Sequence, residues 1–289
     1  MWITVLFDDQ CTIANRVSVS GTGLFTGSPV HLQLRPASPG KGIFFRRKDC
    51  PKSPIIEAHL ANVSSTFRST CLEHEGIDVL MVEHLLSALS AFGIDNVEVV
   101  LDNKELPCGD GSARIFTELL EKAGKTKQSA PRKIYAPQDP IYWSEGETQV
   151  IALPSDRMQV SYLLHYPNVS LLDGQYHTFM AEEDSYCKEI APARTFALDE
   201  EVRALIAKGY FQEASLQNGI LIRGSQIVNP EGLRFPNEMA RHKILDLLGD
   251  LMLLGRVKAH IIGIRSGHKA HVAFARKLQE SMEVASCAS

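Results

Sequence analysis

Each half of this chain closes on the same string of local signals, and that duplication constrains the fold more than any composition figure. In the first half, Val79 to Phe92 (VLMVEHLLSALSAF) carries the apolar period of a helix and stops at Gly93. Asn96 to Leu101 (NVEVVL) follows as a strand, then Gly109-Asp110-Gly111-Ser112 as a turn with Ser112 as N-cap, then a helix Ala113 to Ala123 ended by Gly124. The second half repeats the order: a helix Asn237 to Leu254, a stop at Gly255, a strand Val257 to Ile264, a Ser266-Gly267-His268 turn and a helix Ala270 to Met282. Ahead of each string lie alternating, turn-punctuated runs: Cys11 to Arg47 in one half; Ile134–Trp143, Thr148–Leu153 and Gln159–Tyr166 in the other. We therefore expect an α+β chain of two similar domains, each a mainly antiparallel sheet carrying two helices, with a site between them. A length of 289 residues suits two domains of ordinary size. The expected boundaries are 1–124 and 134–289, joined by a polar, proline-bearing linker at 125–133, with an insertion at about 195–223 in the second half.

The helix Arg241 to Leu254 (RHKILDLLGDLMLL) is apolar enough to be buried, yet it carries His242, Asp246 and Asp250 at i, i+4 and i+8, along one face. Buried carboxylates cost several kcal/mol each unless paired or metal-bound. An imidazole and a carboxylate one turn apart can hold one side of a Zn²⁺ ion, but the same short spacing describes a histidine–aspartate pair that only caps a core. In the first half, Glu83 and His84 are adjacent, so their side chains diverge by about 100° on a helix and can flank one point from two directions; an exposed charged turn at a helix start reads the same way. Taken together, one histidine from the first half and a His/Asp pair from the second make three ligands with a fourth position open, the pattern of a catalytic zinc site. His268, at a glycine turn before a helix, suits a general acid or a simple turn residue. His271, His260, His177, His165, His74, His59 and His31 read as ordinary surface or sheet residues.

Thirty basic against 34 acidic residues give a net charge of -4, which disfavours a general nucleic-acid binder. No apolar run approaches the roughly 18 residues of a membrane-spanning helix, so stable membrane insertion is not expected. The first ten residues, MWITVLFDDQ, lack the look of a secretory signal, and six scattered cysteines without a CxxC pair suit reduced thiols; a cytoplasmic protein is expected.

Several blocks, in order, resemble the UDP-3-O-acyl-N-acetylglucosamine deacetylases (the LpxC family), zinc amidases that commit Gram-negative bacteria to lipid A synthesis. They are GTGLFTG (Gly21–Gly27), VEHLLSAL (Val82–Leu89), GIDNVEV (Gly93–Val99), DGSA (Asp110–Ala113), ARTF (Ala193–Phe196), SLQNGILI (Ser215–Ile222), EGLRF with the following RHKILDLLGDL (Glu231–Leu251), and SGH (Ser266–His268). The resemblance runs from about Gln10 to Leu278. It implies α+β domains packed helix to helix over the active site, and His84, His242 and Asp246 as ligands of Zn²⁺, with Fe²⁺ fitting the same donors. It implies Glu83 as general base, His268 as general acid or oxyanion partner oriented by Asp250, and Thr195 as a stabiliser of the tetrahedral intermediate. Lys243, Phe196 and the apolar residues after it would bind the substrate, a UDP-linked acylated N-acetylglucosamine, with Tyr166 placed to stack on uracil. A monomer is expected. The apolar set Phe196, Leu198, Val202, Leu205, Ile206, Tyr210, Phe211, Leu216, Ile220 and Leu221 has the spacing of an amphipathic helix, read as an acyl channel in the light of the resemblance. Three positions depart from the family pattern: Phe25 where histidine is usual, Met81 where threonine is usual, and Lys269-Ala270-His271 after SGH, which raises the question whether His271 perturbs the pKa of His268. The alternative functions are a zinc hydrolase of the same fold acting on another N-acyl sugar and a non-catalytic lipid-sugar binding module.

Overall fold

Two five-stranded sheets carry the duplication. The first has the order β2 (Val17–Thr22), β3 (Pro29–Pro36), β9 (Val97–Leu101), β4 (Ile43–Arg47), β5 (Ile55–Glu57). The second has the order β11 (Ile141–Glu145), β12 (Thr148–Leu153), β19 (His260–Ile264), β13 (Gln159–His165), β14 (Asp173–Met180). In both, the last strand in sequence sits at the centre, antiparallel to the second strand and parallel to the third, and all other pairs are antiparallel. This is a computed structural model, and it describes the backbone of residues 2–210 and 213–287 and the side chains of 9–210 and 213–281. Phe211 of the expected apolar set lies outside the described residues.

Each central strand is flanked in sequence by two helices, as the repeated string predicts: α1 (Glu83–Ala91) and α2 (Arg114–Ala123) around β9, and α5 (Glu238–Leu251) and α6 (His268–Cys287) around β19. Strand alternation points Val30, Leu32 and Leu34 inward under them, and most of the buried apolar residues of both halves form one continuous core, with Leu24, Met81 and Cys108 in a small separate cluster. The halves meet where α1 packs on α5. Gly249 makes that approach possible. A Cβ at this position would stand 2.1 Å from the Glu83 carbonyl oxygen, so the two backbones touch where any side chain would push them apart. Gly249→Ala is expected to destabilise the protein by about 1–3 kcal/mol or more, read as a lowered thermal midpoint, with the Glu83-His84 step displaced alongside it.

Three segments differ from the sequence reading. The helix expected from Val79 starts at Glu83, because Val79 ends strand β8 (Ile77–Val79), paired with β7 (Cys71–His74), which pairs in turn with β6 (Val63–Ser65), and Met81 turns the chain with φ +60°. The polar stretch expected as a linker is part of strand β10 (Lys125–Pro137), antiparallel to β1 (Trp2–Ile13) and parallel to the short β18 (Arg256–Val257). Its partner lies more than a hundred residues away, and Pro131 faces Asp9 at a register shift, where a missing N–H is tolerated. The insertion is not one amphipathic helix. It runs β15 (Phe196–Leu198), α4 (Asp199–Ile206), β16 (Ile220–Arg223) and β17 (Gln226–Ile227), with β15 and β16 parallel. Gly209, at φ +84°, follows α4, and the β-branched Ile220 and Ile222 favour a strand. A short helix α3 (Glu183–Ser185), continued by a π-helical turn, leads toward the insertion. No helix among the described residues is long and apolar enough to cross a membrane.

Candidate metal centre and active site

The helix period delivers what the spacing of α5 promised. His242, Asp246 and Asp250 are all buried on the face turned toward α1, whose first turn supplies Glu83 and His84. The Nε2 atoms of His84 and His242 lie 3.8 and 3.3 Å from Asp246 Oδ1, and the two rings stand edge to face with centroids 5.1 Å apart. One donor atom from each of the three residues falls within 4.8 Å of the others. His242 Nδ1 donates to the Ala193 carbonyl at 3.0 Å, which fixes the tautomer and leaves Nε2 as a lone pair facing the site. Burial, then the neighbouring His242, holds the His84 imidazole down at about 3, and burial likewise lowers His242. Burial opposes the Asp246 charge, but Lys243, His242, His268 and His84 outweigh it and hold the carboxyl well below its usual range. Two neutral imidazoles and an ionised carboxylate are the protonation states that a metal requires.

One oxygen separates this cluster from an ordinary buried network. Asp246 Oδ2 accepts from Lys243 Nζ at 2.7 Å, but Oδ1 is buried with no hydrogen-bond partner, one of three such side-chain atoms among the described residues. An orphaned carboxylate oxygen between two imidazole lone pairs is costly in itself and is satisfied by a cation. Asp250, His268 and His271 are just as close together, but they satisfy one another: Asp250 Oδ2 accepts from Nδ1 of both histidines, at 2.9 and 2.8 Å, and Oδ1 accepts from Thr70 Oγ1 at 2.5 Å.

Glu83 and His268 lie next to this group. Glu83 Oε2 accepts the Thr70 backbone N–H at 3.0 Å, while Oε1 lies 3.9 Å from His268 Nε2, which is also 3.9 Å from Asp246 Oδ2. Burial raises the Glu83 carboxyl to about 8, against the pull of His268. Burial alone would lower His268, but Asp250 and Asp246 raise it to about 9. Two titratable groups that their surroundings shift thus lie 3.9 Å apart beside the His84–His242–Asp246 group, a pairing that suits acid–base chemistry.

These groups sit at the floor of a cavity of about 620 Å³, lined by Leu24, Phe25 and Met81 from the first half and by Thr195, Lys243 and the β15–α4 segment from the second. Tyr166 meets Phe196 edge to face at 6.4 Å, and Lys243 Nζ stands 5.5 Å over the Phe196 ring, so these three build one wall. The lining runs on through Leu198, Val202, Ile206, Leu216 and Leu221, with Asp199, Glu201 and Arg203 among them.

A family profile described as UDP-3-O-acyl N-acetylglycosamine deacetylase matches residues 10–280. The UDP-3-O-acyl-N-acetylglucosamine deacetylase of Chlamydia muridarum is 40% identical over 275 residues, 95% of this chain and 96% of its own. Those of Chlamydia felis and Chlamydia pneumoniae are 40% and 38% identical, each covering 95% of this chain and 98% of their own. The chain belongs to the UDP-3-O-acyl N-acetylglycosamine deacetylase family.

In this deacetylase fold every site residue singled out from the sequence lies in the His84–His242–Asp246 group, on the cavity wall or, for Asp250, hydrogen-bonded behind His268. Phe25, where the family usually has histidine, contributes an apolar side chain to the cavity, and its loop is wrapped around the buried Glu105 carboxylate by the Phe25 and Thr26 N–H groups at 2.8 and 2.9 Å. Sequence reasoning missed three supporting residues. Thr70 holds both Glu83 and Asp250. Arg194 is buried with Glu238, Nε to Oε1 at 2.8 Å, and locks the Ala193–Thr195 backbone against α5. His271, read as an ordinary histidine, is fully buried on Asp250. Only His271 had a local signal: it lies three residues beyond His268, one turn on along the same helix face.

Proposed function

We propose that this chain is a metal-dependent amidohydrolase that removes the 2-N-acetyl group of UDP-3-O-(3-hydroxyacyl)-N-acetylglucosamine and releases acetate, the committed step of lipid A synthesis. The observation that carries the metal dependence is the unpartnered Asp246 Oδ1 between the Nε2 atoms of His84 and His242. Zn²⁺ fits these donors, and Fe²⁺ fits them too. Such a cation would lower the pKa of water and polarise the amide carbonyl.

The rest of the chemistry belongs to the chain. Glu83 takes a proton from the attacking water at Oε1, since Oε2 is occupied by Thr70 N–H. A carboxyl raised by burial is a stronger base once ionised, and a positive charge beside it favours the ionised form. His268 stays cationic at neutral pH, with Nδ1–H on Asp250 and Nε2–H directed toward Glu83 and Asp246. The departing amine has two protons within reach, the one on His268 Nε2 and the one Glu83 has just accepted. Thr195 offers its hydroxyl to the developing oxyanion from the cavity wall. Lys243 keeps Asp246 ionised and reaches the substrate over Phe196. The apolar residues that line the cavity past Phe196 take the 3-O-acyl chain, and Tyr166 contacts the substrate from the same wall.

The names of the relatives support the substrate, and an assay tests it. The purified protein is expected to release acetate from UDP-3-O-acyl-N-acetylglucosamine, to stop when treated with a chelator, and to recover with Zn²⁺. A panel of N-acetyl sugars lacking the 3-O-acyl group separates this reading from a deacetylase of other N-acyl sugars: equal turnover across the panel would exclude the acyl-dependent substrate.

A further inference from the structure

His271 has no part in the mechanism above, yet it is built into it. Its imidazole is fully buried in the first turn of α6, one turn past His268. Asp250 is held ionised by His268 and His271 in spite of its burial, so its oxygens only accept. His271 Nδ1 therefore donates to Asp250 Oδ2, the same oxygen that receives His268 Nδ1–H. Burial keeps His271 neutral, which makes its Nε2 an acceptor for the Ser266 hydroxyl at 3.0 Å. Ser266 begins the turn that leads into His268, and its carbonyl accepts from the buried Tyr162 hydroxyl. The next residue, Gly267, has open space where a side chain would lie, so nothing at Gly267 itself steadies the turn. One ring thus bridges the carboxylate behind His268 and the side chain of Ser266, two residues before it.

We propose that His271 is a positioning residue for the reaction, bracing His268 through Asp250 on one side and through Ser266 on the other. The inference rests on the reading of His268 as proton donor. Without His271, Asp250 Oδ2 would be held only by His268, the group it has to orient; with His271 in place both oxygens have a partner other than His268, and His268 itself lines the cavity. Because His271 does not line the cavity, its effect belongs to turnover rather than to substrate affinity.

The test compares His271→Phe, which keeps the ring volume and removes both bonds, with His271→Asn, whose amide can still donate to Asp250. In metal-loaded protein assayed for acetate release, His271→Phe is expected to lower kcat by about tenfold, with KM within about twofold and metal content unchanged, and His271→Asn is expected to recover most of the loss. In ¹⁵N-histidine spectra the His268 Nδ1–H resonance is expected to move in His271→Phe and to stay near its wild-type position in His271→Asn. Should His271→Phe fail to fold, Ser266→Ala removes one of the two braces and is expected to move the same resonance. Unchanged kcat, or a loss of kcat with the His268 resonance in place, overturns the proposal. A wild-type protein that releases no acetate overturns the deacetylase reading instead, and the resonance comparison still decides whether His271 braces His268.

Discussion

Asp246→Ala is expected to lose its stoichiometric divalent metal and, with it, turnover. The side chain contributes the one negative charge among the three donors, and its Oδ1 is the atom toward which both imidazoles converge. What remains is a pair of neutral histidines beside a half-buried Lys243 that has lost its carboxylate partner, an arrangement that repels a cation. Elemental analysis reads the metal content directly. Thermal unfolding reads it without any assay: free metal at about a hundred times its Kd stabilises a binding protein by about 2.7 kcal/mol, so Zn²⁺ should raise the midpoint of metal-stripped wild type and leave that of Asp246→Ala in place. A variant that kept full metal content would remove Asp246 from the ligand set.

Glu83→Gln separates the acid–base chemistry from the metal. The amide oxygen can still accept the Thr70 N–H, so α1 and the first-turn His84 are expected to hold their places and the metal content to match wild type. The base is gone, and general acid–base groups contribute about 10²–10⁴-fold. A loss of kcat in that range with metal retained is the expected result. Turnover within a few-fold of wild type would assign the proton to another group, with His268 the nearest candidate at 3.9 Å. The two variants fail in different ways, since one empties the site and the other leaves it loaded and idle.

The polar face of α5 was legible because helical geometry is local. On α5, residues four apart must share a face, so His242, Asp246 and Asp250 line up along an apolar helix, to be satisfied there by one another or by partners from elsewhere. The repeated order of helix, glycine, strand, turn and helix was legible for the same reason, and the matching strand orders of the two sheets are its outcome. The insertion was misread as a single helix because short apolar runs serve helix and strand alike, and the pairing of β15 with β16 across more than twenty residues decided between them. The N-terminal strand and the 125–133 stretch each look unremarkable alone; they are strands because they pair with each other.

Local periodicity alone was enough for the repeated α+β order and for a buried helix that sets His242, Asp246 and Asp250 along one face. The tertiary structure alone decided that Thr70 holds Asp250 from 180 positions away, that the Ala193 carbonyl sets the tautomer of His242, that Gly249 lets α1 touch α5, and that Asp246 keeps one oxygen without a partner. Hydrogen bonds and close approaches between distant segments leave no local period in the chain, so they become visible only when packing brings the segments together.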